Sequence, residues 1–244
     1  MKIRSSEKES IFWKKIKSKL NIVDLGSLTI GNPMEEVNLS IRENKYNIKL
    51  TGIEAFEFED NEDMDINKIC NIFDWELKLK FIESIKSDLY LIIYKKKIFR
   101  LCIVQKNKES NELKISILKR CNEETFVNWW CTVKKTKQVK PTYEAGERIR
   151  MTIFDEALEK RRVYWGGNID GIYIPERNKI SAIIEVRKSS QKTIEEYDPK
   201  EYYHGTGSRG GDFNTWLPLF YLSKMLEVPL FLFTFSDKSP KNAE

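Results

Sequence analysis

"GGNIDGIYIPERNKISAIIEVRK", residues 166–188, holds two apolar runs, and each carries one acid. Asp170 stands among Ile169, Gly171 and Ile172, and Glu185 follows Ala182, Ile183 and Ile184. Each run has the length and composition of a short strand, and Pro175 to Lys179 between them has the residues of a reversal. A carboxylate in apolar surroundings is costly unless a cation or hydrogen bonds hold it. Two strands joined by that turn would bring Asp170 and Glu185 level. Alternation would set Glu185 and Arg187 on one face, with Val186 and Lys188 on the other. Carboxylates that close repel each other unless a divalent ion with a preference for hard oxygen lies between them. Mg²⁺ suits such a pair, because it takes one or two carboxylates, keeps waters and binds phosphate oxygens.

The elements around this pair can be read outward. Residues 143–160 look helical, with Ile149, Ile153 and Ala157 in a stripe, and 189–213 form a polar loop. A helix at 214–227 and the apolar strand 228–235 follow. Upstream, an amphipathic helix is expected at 5–20, short strands at 28–31, 36–42 and 46–53, and helical periodicity at 66–86. Runs 88–94, 97–105 and 112–119 suggest a three-stranded meander. "EAFEFEDNEDMD", residues 54–65, has seven acids and reads as a solvated loop, with an acidic cation site as the alternative. The fold class expected is α+β, a mixed sheet flanked by helices. A boundary near residue 125 would separate an N-terminal recognition, dimerisation or regulatory region (1–125) from a C-terminal core (126–244).

An Asp on one strand, Glu-x-Arg-Lys at the end of the next, then a helix and an apolar strand resembles the PD-(D/E)XK nuclease superfamily, whose best-known members are restriction endonucleases. The resemblance covers roughly residues 143–236. It implies a restriction-endonuclease-like core in the C-terminal half and Mg²⁺-dependent hydrolysis of DNA phosphodiesters, with Mn²⁺ expected to substitute. It also implies Asp170, Glu185 and the Val186 carbonyl as metal ligands. Arg187 stands where the family usually has Lys. Arginine can grip phosphate but cannot give up a proton, so the basic catalytic group is Arg187 or the adjacent Lys188, acting electrostatically. The family commonly adds a Glu from the preceding helix; of Glu147, Glu156 and Glu159, Glu156 lies beside the apolar stripe.

Bulk properties narrow the alternatives. The chain has 244 residues, a net charge of +5 and a single histidine, His204. Zinc and iron sites built on several histidines are thereby excluded, and no G-x-S-x-G elbow supports a serine triad on His204. Four scattered cysteines without a C-x-x-C pair read as reduced structural thiols. No apolar run approaches a membrane span and the charged N-terminus lacks a signal-peptide core, so a cytoplasmic protein is expected. No P-loop is present, so cutting would need no nucleotide. "GIY" at 171–173 lacks the Tyr-Ile-Gly partner of the GIY-YIG nucleases and is set aside.

Candidate DNA contacts are Lys134, Lys135, Lys137 and Lys140, beside a Trp129–Trp130 pair that reads as core, and Arg209 and His204 in a Gly-rich loop before a helix. One site cuts one strand, so a two-fold homodimer is expected on a palindromic duplex. The leading expectation is a type II restriction endonuclease. The alternatives are a ligand-gated or RNA-cutting defence nuclease, and a catalytically inert nucleic-acid-binding relative.

Overall fold

A computed structural model describes residues 2–3, 19–20, 22–23, 25, 29–30, 50–58, 65–72, 74–107, 109–134, 153–161, 169–175, 179–189, 195–196 and 213–236. The chain divides into two compact units, Met1–Ser5 with Ser27–Asn168, and Ser6–Gly26 with Ile169–Glu244. This division differs from a boundary near residue 125. The first unit runs to Asn168, and the second gathers chain from both ends of the sequence. The protein is α+β, with a six-stranded and a four-stranded mixed sheet among the described residues.

In the first unit the sheet contains β1 (Lys2–Ile3), β3 (Thr29–Ile30), β4 (Gly52–Glu57), β5 (Leu89–Lys95), β6 (Ile98–Lys106) and β7 (Leu113–Cys121). Its order is β1-β4-β5-β6-β7, with β3 also pairing to β4. The meander expected from alternation is present as β5-β6-β7, antiparallel throughout and displaced by one or two residues. β4 and β5 run parallel, so the chain must cross over between them; α1 (Ile66–Ile72) and α2 (Trp75–Ser84) do so. The single helical span expected at 66–86 is broken because Asp74 caps α2, accepting the Leu77 N–H at 2.9 Å. Trp75 Nε1 donates to the Ile69 carbonyl at 2.9 Å and fastens the two helices together.

Every residue of β4 is buried, which corrects the reading of 54–65 as solvated from its first residue. Glu54 and Glu57 lie inside the strand because sequence-distant groups satisfy them. Lys78 of α2 forms a buried ion pair with Glu54. The N–H of Ile153, which opens α4 (Ile153–Lys160), donates to Glu57 at 3.3 Å. The faces of β4 therefore meet different helices. Ile53 and Ala55 join Ile92, Phe99 and Leu101 beneath α3 (Glu123–Lys134) and α4, while Lys78 and Ile82 of α2 cover the opposite face. Asn122 caps α3, accepting the Thr125 N–H at 2.9 Å. The spacing Phe126, Val127, Trp130 directs one stripe of that helix inward, and Phe126 stacks on Phe99 with ring centroids 4.3 Å apart. Trp130 is fully buried, as expected of a core residue, and Trp129 packs on Tyr90.

The second unit has the order β10-β9-β8-β2, with β2 (Ile22–Val23), β8 (Gly171–Tyr173), β9 (Ala182–Ser189) and β10 (Leu230–Ser236). β2, β8 and β9 are antiparallel neighbours. β9 and β10 are parallel, joined by α5 (Phe213–Leu226). The N-terminal segment thus supplies an outer strand, Ile22 opposite Tyr173, with most of the first unit between them in sequence. Ala182, Ile184 and Val186 pack with Ile22, Tyr173 and Phe233 on one face of this sheet. α5 ends in a Schellman motif: Glu227 takes φ 54°, its N–H reaches the Lys224 carbonyl, and the Val228 N–H reaches Ser223. That turn feeds the chain directly into β10.

Candidate functional site

β8 is short, and its register with β9 fixes the site. Gly171 pairs with Ile184, Ile172 with Ile183 and Tyr173 with Ala182. Carried one residue further, the same register puts Asp170 opposite Glu185. Residues directly opposed in an antiparallel pair share a face, with Cβ atoms about 4.5–5.5 Å apart. Ala182, Ile184 and Val186 face the small apolar cluster, so Ile183 and Glu185 lie on the other side, with Ile172 and Asp170 beside them. Both acids are withdrawn from water, Asp170 to 5 % and Glu185 to 1 % exposure.

One hydrogen bond sets the position of Asp170. The Val186 N–H donates to Asp170 Oδ2 at 2.7 Å. In a strand the N–H and C=O of one residue point to the same edge. The Ile183 N–H turns to the other edge, donating to Pro229 beside β10 at 2.9 Å. The Val186 carbonyl therefore points toward the edge where Asp170 stands. On the β10 side, Leu232 is the register partner of Glu185 and Phe233 that of Val186.

The donor set is thus two buried carboxylates, level on adjacent strands, and a main-chain carbonyl directed at their edge. Two anions so placed repel each other and lose hydration together, and both costs fall when a hard cation binds between them. All three donors are oxygen, the atom Mg²⁺ prefers, and two carboxylates lie within the number it takes from protein. These oxygen donors are of the kind that a magnesium ion takes. Among the described residues no group of three or more His, Cys, Asp and Glu side chains gathers around a common point.

The structure brings together Asp170, Glu185 and Val186. It places the backbones of Arg187 and Lys188 immediately beyond them on β9, opposite Thr234 and Phe235. Glu156 is exposed on α4, in the first unit, whereas the carboxylate pair belongs to the second. The strand opposite Tyr173 and Ile172 went unrecognised in the sequence, although the β-branched pair Ile22-Val23 in "NIVDL" at 21–25 directly follows an amphipathic pattern. Lys134 closes α3 at its last residue; Lys135, Lys137, Lys140, His204 and Arg209 lie outside the described residues. Among the described residues no helix is long and apolar enough to cross a membrane. No protein-family model, curated protein or solved structure matches the chain.

Proposed function

We propose that the protein is a magnesium-dependent endodeoxyribonuclease that hydrolyses phosphodiester bonds as a homodimer, most simply a type II restriction endonuclease. The observation that carries this reading is the pair Asp170, just before β8, and Glu185 on β9, both buried, with the Val186 amide fastened to Asp170. The element order supports it too. Asp170 immediately before one strand, Glu185 within the next, a crossover helix and a parallel apolar strand match the succession that the resemblance to PD-(D/E)XK nucleases implies.

Asp170, Glu185 and the Val186 carbonyl would hold the ion. When bound, Mg²⁺ supplies an acidified water and neutralises charge on the phosphate and the departing 3′ oxygen. The chain's own part is to position. The Val186 N–H holds the Asp170 carboxylate, and β9 carries Glu185 at the same level, so part of the site would be set before substrate arrives. Arg187 and Lys188 follow on the same strand and would supply positive charge to the transition state. Arginine keeps its proton at any working pH, so its contribution is electrostatic. Arg187→Ala and Lys188→Ala, compared for cleavage rate at saturating DNA, identify which of the two does so; the one that matters lowers the rate about 100-fold or more.

Arg187 in place of the usual Lys also favours a second reading, a nucleic-acid-binding relative without catalysis. Digestion of a long DNA with Mg²⁺, Ca²⁺ or EDTA, followed by sequencing of the ends, separates the two. Discrete ends that require Mg²⁺ and vanish in Asp170→Ala and Glu185→Ala support the restriction enzyme. Binding by wild type without cleavage under any divalent metal supports the inert relative, and uniform degradation an unspecific nuclease.

A further inference from the structure

β7 ends the order of the six-stranded sheet, and among the described residues it pairs only with β6. It is nine residues long and holds no proline. Natural edge strands are kept short, charged, broken or covered, because a long free edge offers its amides and carbonyls to another strand. The charge of β7 gathers near its end, at Lys119 and Arg120; from Leu113 to Leu118 only Lys114 is charged.

The register sorts these side chains by face. Phe99 pairs with Cys121, Arg100 with Arg120 and Leu101 with Lys119. Cys102 then pairs with Ile117, Ile103 with Ser116, Val104 with Ile115, Gln105 with Lys114 and Lys106 with Leu113. Leu118 is therefore the extra residue of a bulge. Phe99 and Leu101 lie beneath α3 and α4, so Lys119, Ser116 and Lys114 belong to that face. Leu113, Ile115 and Ile117 line the other face, on which this strand is apolar throughout its middle. Ile117 is 38 % exposed and Leu118 55 %.

A second β7 can meet this edge running antiparallel about a two-fold axis normal to the sheet. Opposed residues must then come from the same face. With the axis at Ile115, that residue meets its own copy, and Leu113 meets Ile117 twice on the apolar face. Lys114 meets Ser116 on the other face. The bulge then absorbs Leu118, and Glu112 comes opposite Lys119, again twice. Both of these are exposed, and Glu112 already extends the ladder, its carbonyl accepting the Asn107 N–H at 2.8 Å. Neighbouring registers fit less well. An axis at Lys114 sets that lysine against its copy, an axis at Ser116 sets Lys114 against Lys119, and an axis at Ile117 pairs no acid with a base. We propose that β7 is the contact between two copies of this chain, joining their sheets edge to edge, with Glu112 of each protomer facing the partner's Lys119. The inference rests on the nuclease reading for the expectation of a two-fold dimer, and on the strand itself for where that dimer forms.

The test is sedimentation velocity of the whole protein over a concentration series. Glu112→Lys opposes base to base at both ends of the contact, and Lys119→Glu opposes acid to acid. Each alone should weaken the dimer about 10-fold or more. Mixed in equal amounts, the two variants should regain wild-type association, since each supplies the charge that the other requires; Glu112→Lys/Lys119→Glu in one chain should regain it too. Association untouched by either single substitution, or lost in both without recovery on mixing, would overturn the proposal. So would a dimer that resists the β7 substitutions but dissociates in Phe220→Ser/Phe231→Ser, which changes exposed apolar residues of the second unit. Wild type that stays monomeric yet cuts DNA with Mg²⁺ overturns the interface and leaves the nuclease reading standing. A dimer that shows recovery on mixing but cuts no DNA under any divalent metal overturns the nuclease reading and keeps the interface. A monomer that cuts nothing overturns both.

Discussion

Each unit contains a parallel strand–helix–strand crossover with a buried glutamate on its first strand, and the two glutamates have opposite company. Glu54 on β4 is paired in register with Leu91, and Lys78 from the crossover helix neutralises it inside the core. Glu185 on β9 is paired in register with Leu232, and the β8–β9 register carried one residue further sets a second acid, Asp170, opposite it. In the first unit the protein has built the cation into itself, and the acid is structural. In the second, two acids share one face, and on the proposed reading a cation from outside joins them. Burial alone does not mark a site; what the buried acid faces does.

The largest expected effect comes from removing the acids of the second unit. Asp170→Asn/Glu185→Gln keeps the acceptor for the Val186 N–H but discharges the pair. DNA cleavage should fall about 1,000-fold or more, while resistance to urea without metal should hold or rise by about 1 kcal/mol, since like charges are relieved. A double variant that unfolds, or that still cuts, would make the second pair as structural as the first.

The first unit should answer in the opposite sense. Lys78→Met leaves Glu54 buried without its cation and should cost about 3–5 kcal/mol in urea denaturation. Glu54→Leu/Lys78→Met should regain most of that loss. Neither should alter metal dependence, and a change in it would blur the distinction between the units.

A smaller effect concerns Cys102, buried under the crossover in the first unit, where burial pushes the thiol pKa up to about 11. The neutral thiol is favoured by the fold, so this contribution to stability is complete below about pH 9 and is lost as pH rises from there toward 11. At pH near 8, mass spectrometry after alkylation should find Cys102 the last of the four cysteines to react. Rapid labelling in the native state would contradict its place in the core.

Much of this was readable where partners are close in sequence. The β8–β9 pair, the meander β5-β6-β7, α5 and β10 are local, and alternation or helical spacing reports them. The acids at 170 and 185 stood out because charge interrupted apolar runs that a turn of few residues brings together. What escaped depends on distant partners. Glu54 and Glu57 looked solvated because Lys78 and the Ile153 N–H, which make their burial tolerable, lie 24 and 96 residues away. The division into units escaped for the same reason, since Ile22 finds Tyr173 only after most of the first unit, Ser27–Asn168, has intervened. The arginine pair at 100 and 120 became visible only with the register of β6 and β7.

Binding of Mn²⁺ to the DNA-free protein, followed by calorimetry or electron paramagnetic resonance, puts the reading of the second unit to its most direct trial. The pair should take up the ion in wild type and in Lys78→Met where that variant remains folded, and lose it in Asp170→Asn/Glu185→Gln. Uptake undiminished by discharging residues 170 and 185 would mean the ion sits elsewhere, and the two acids would then be no cation site.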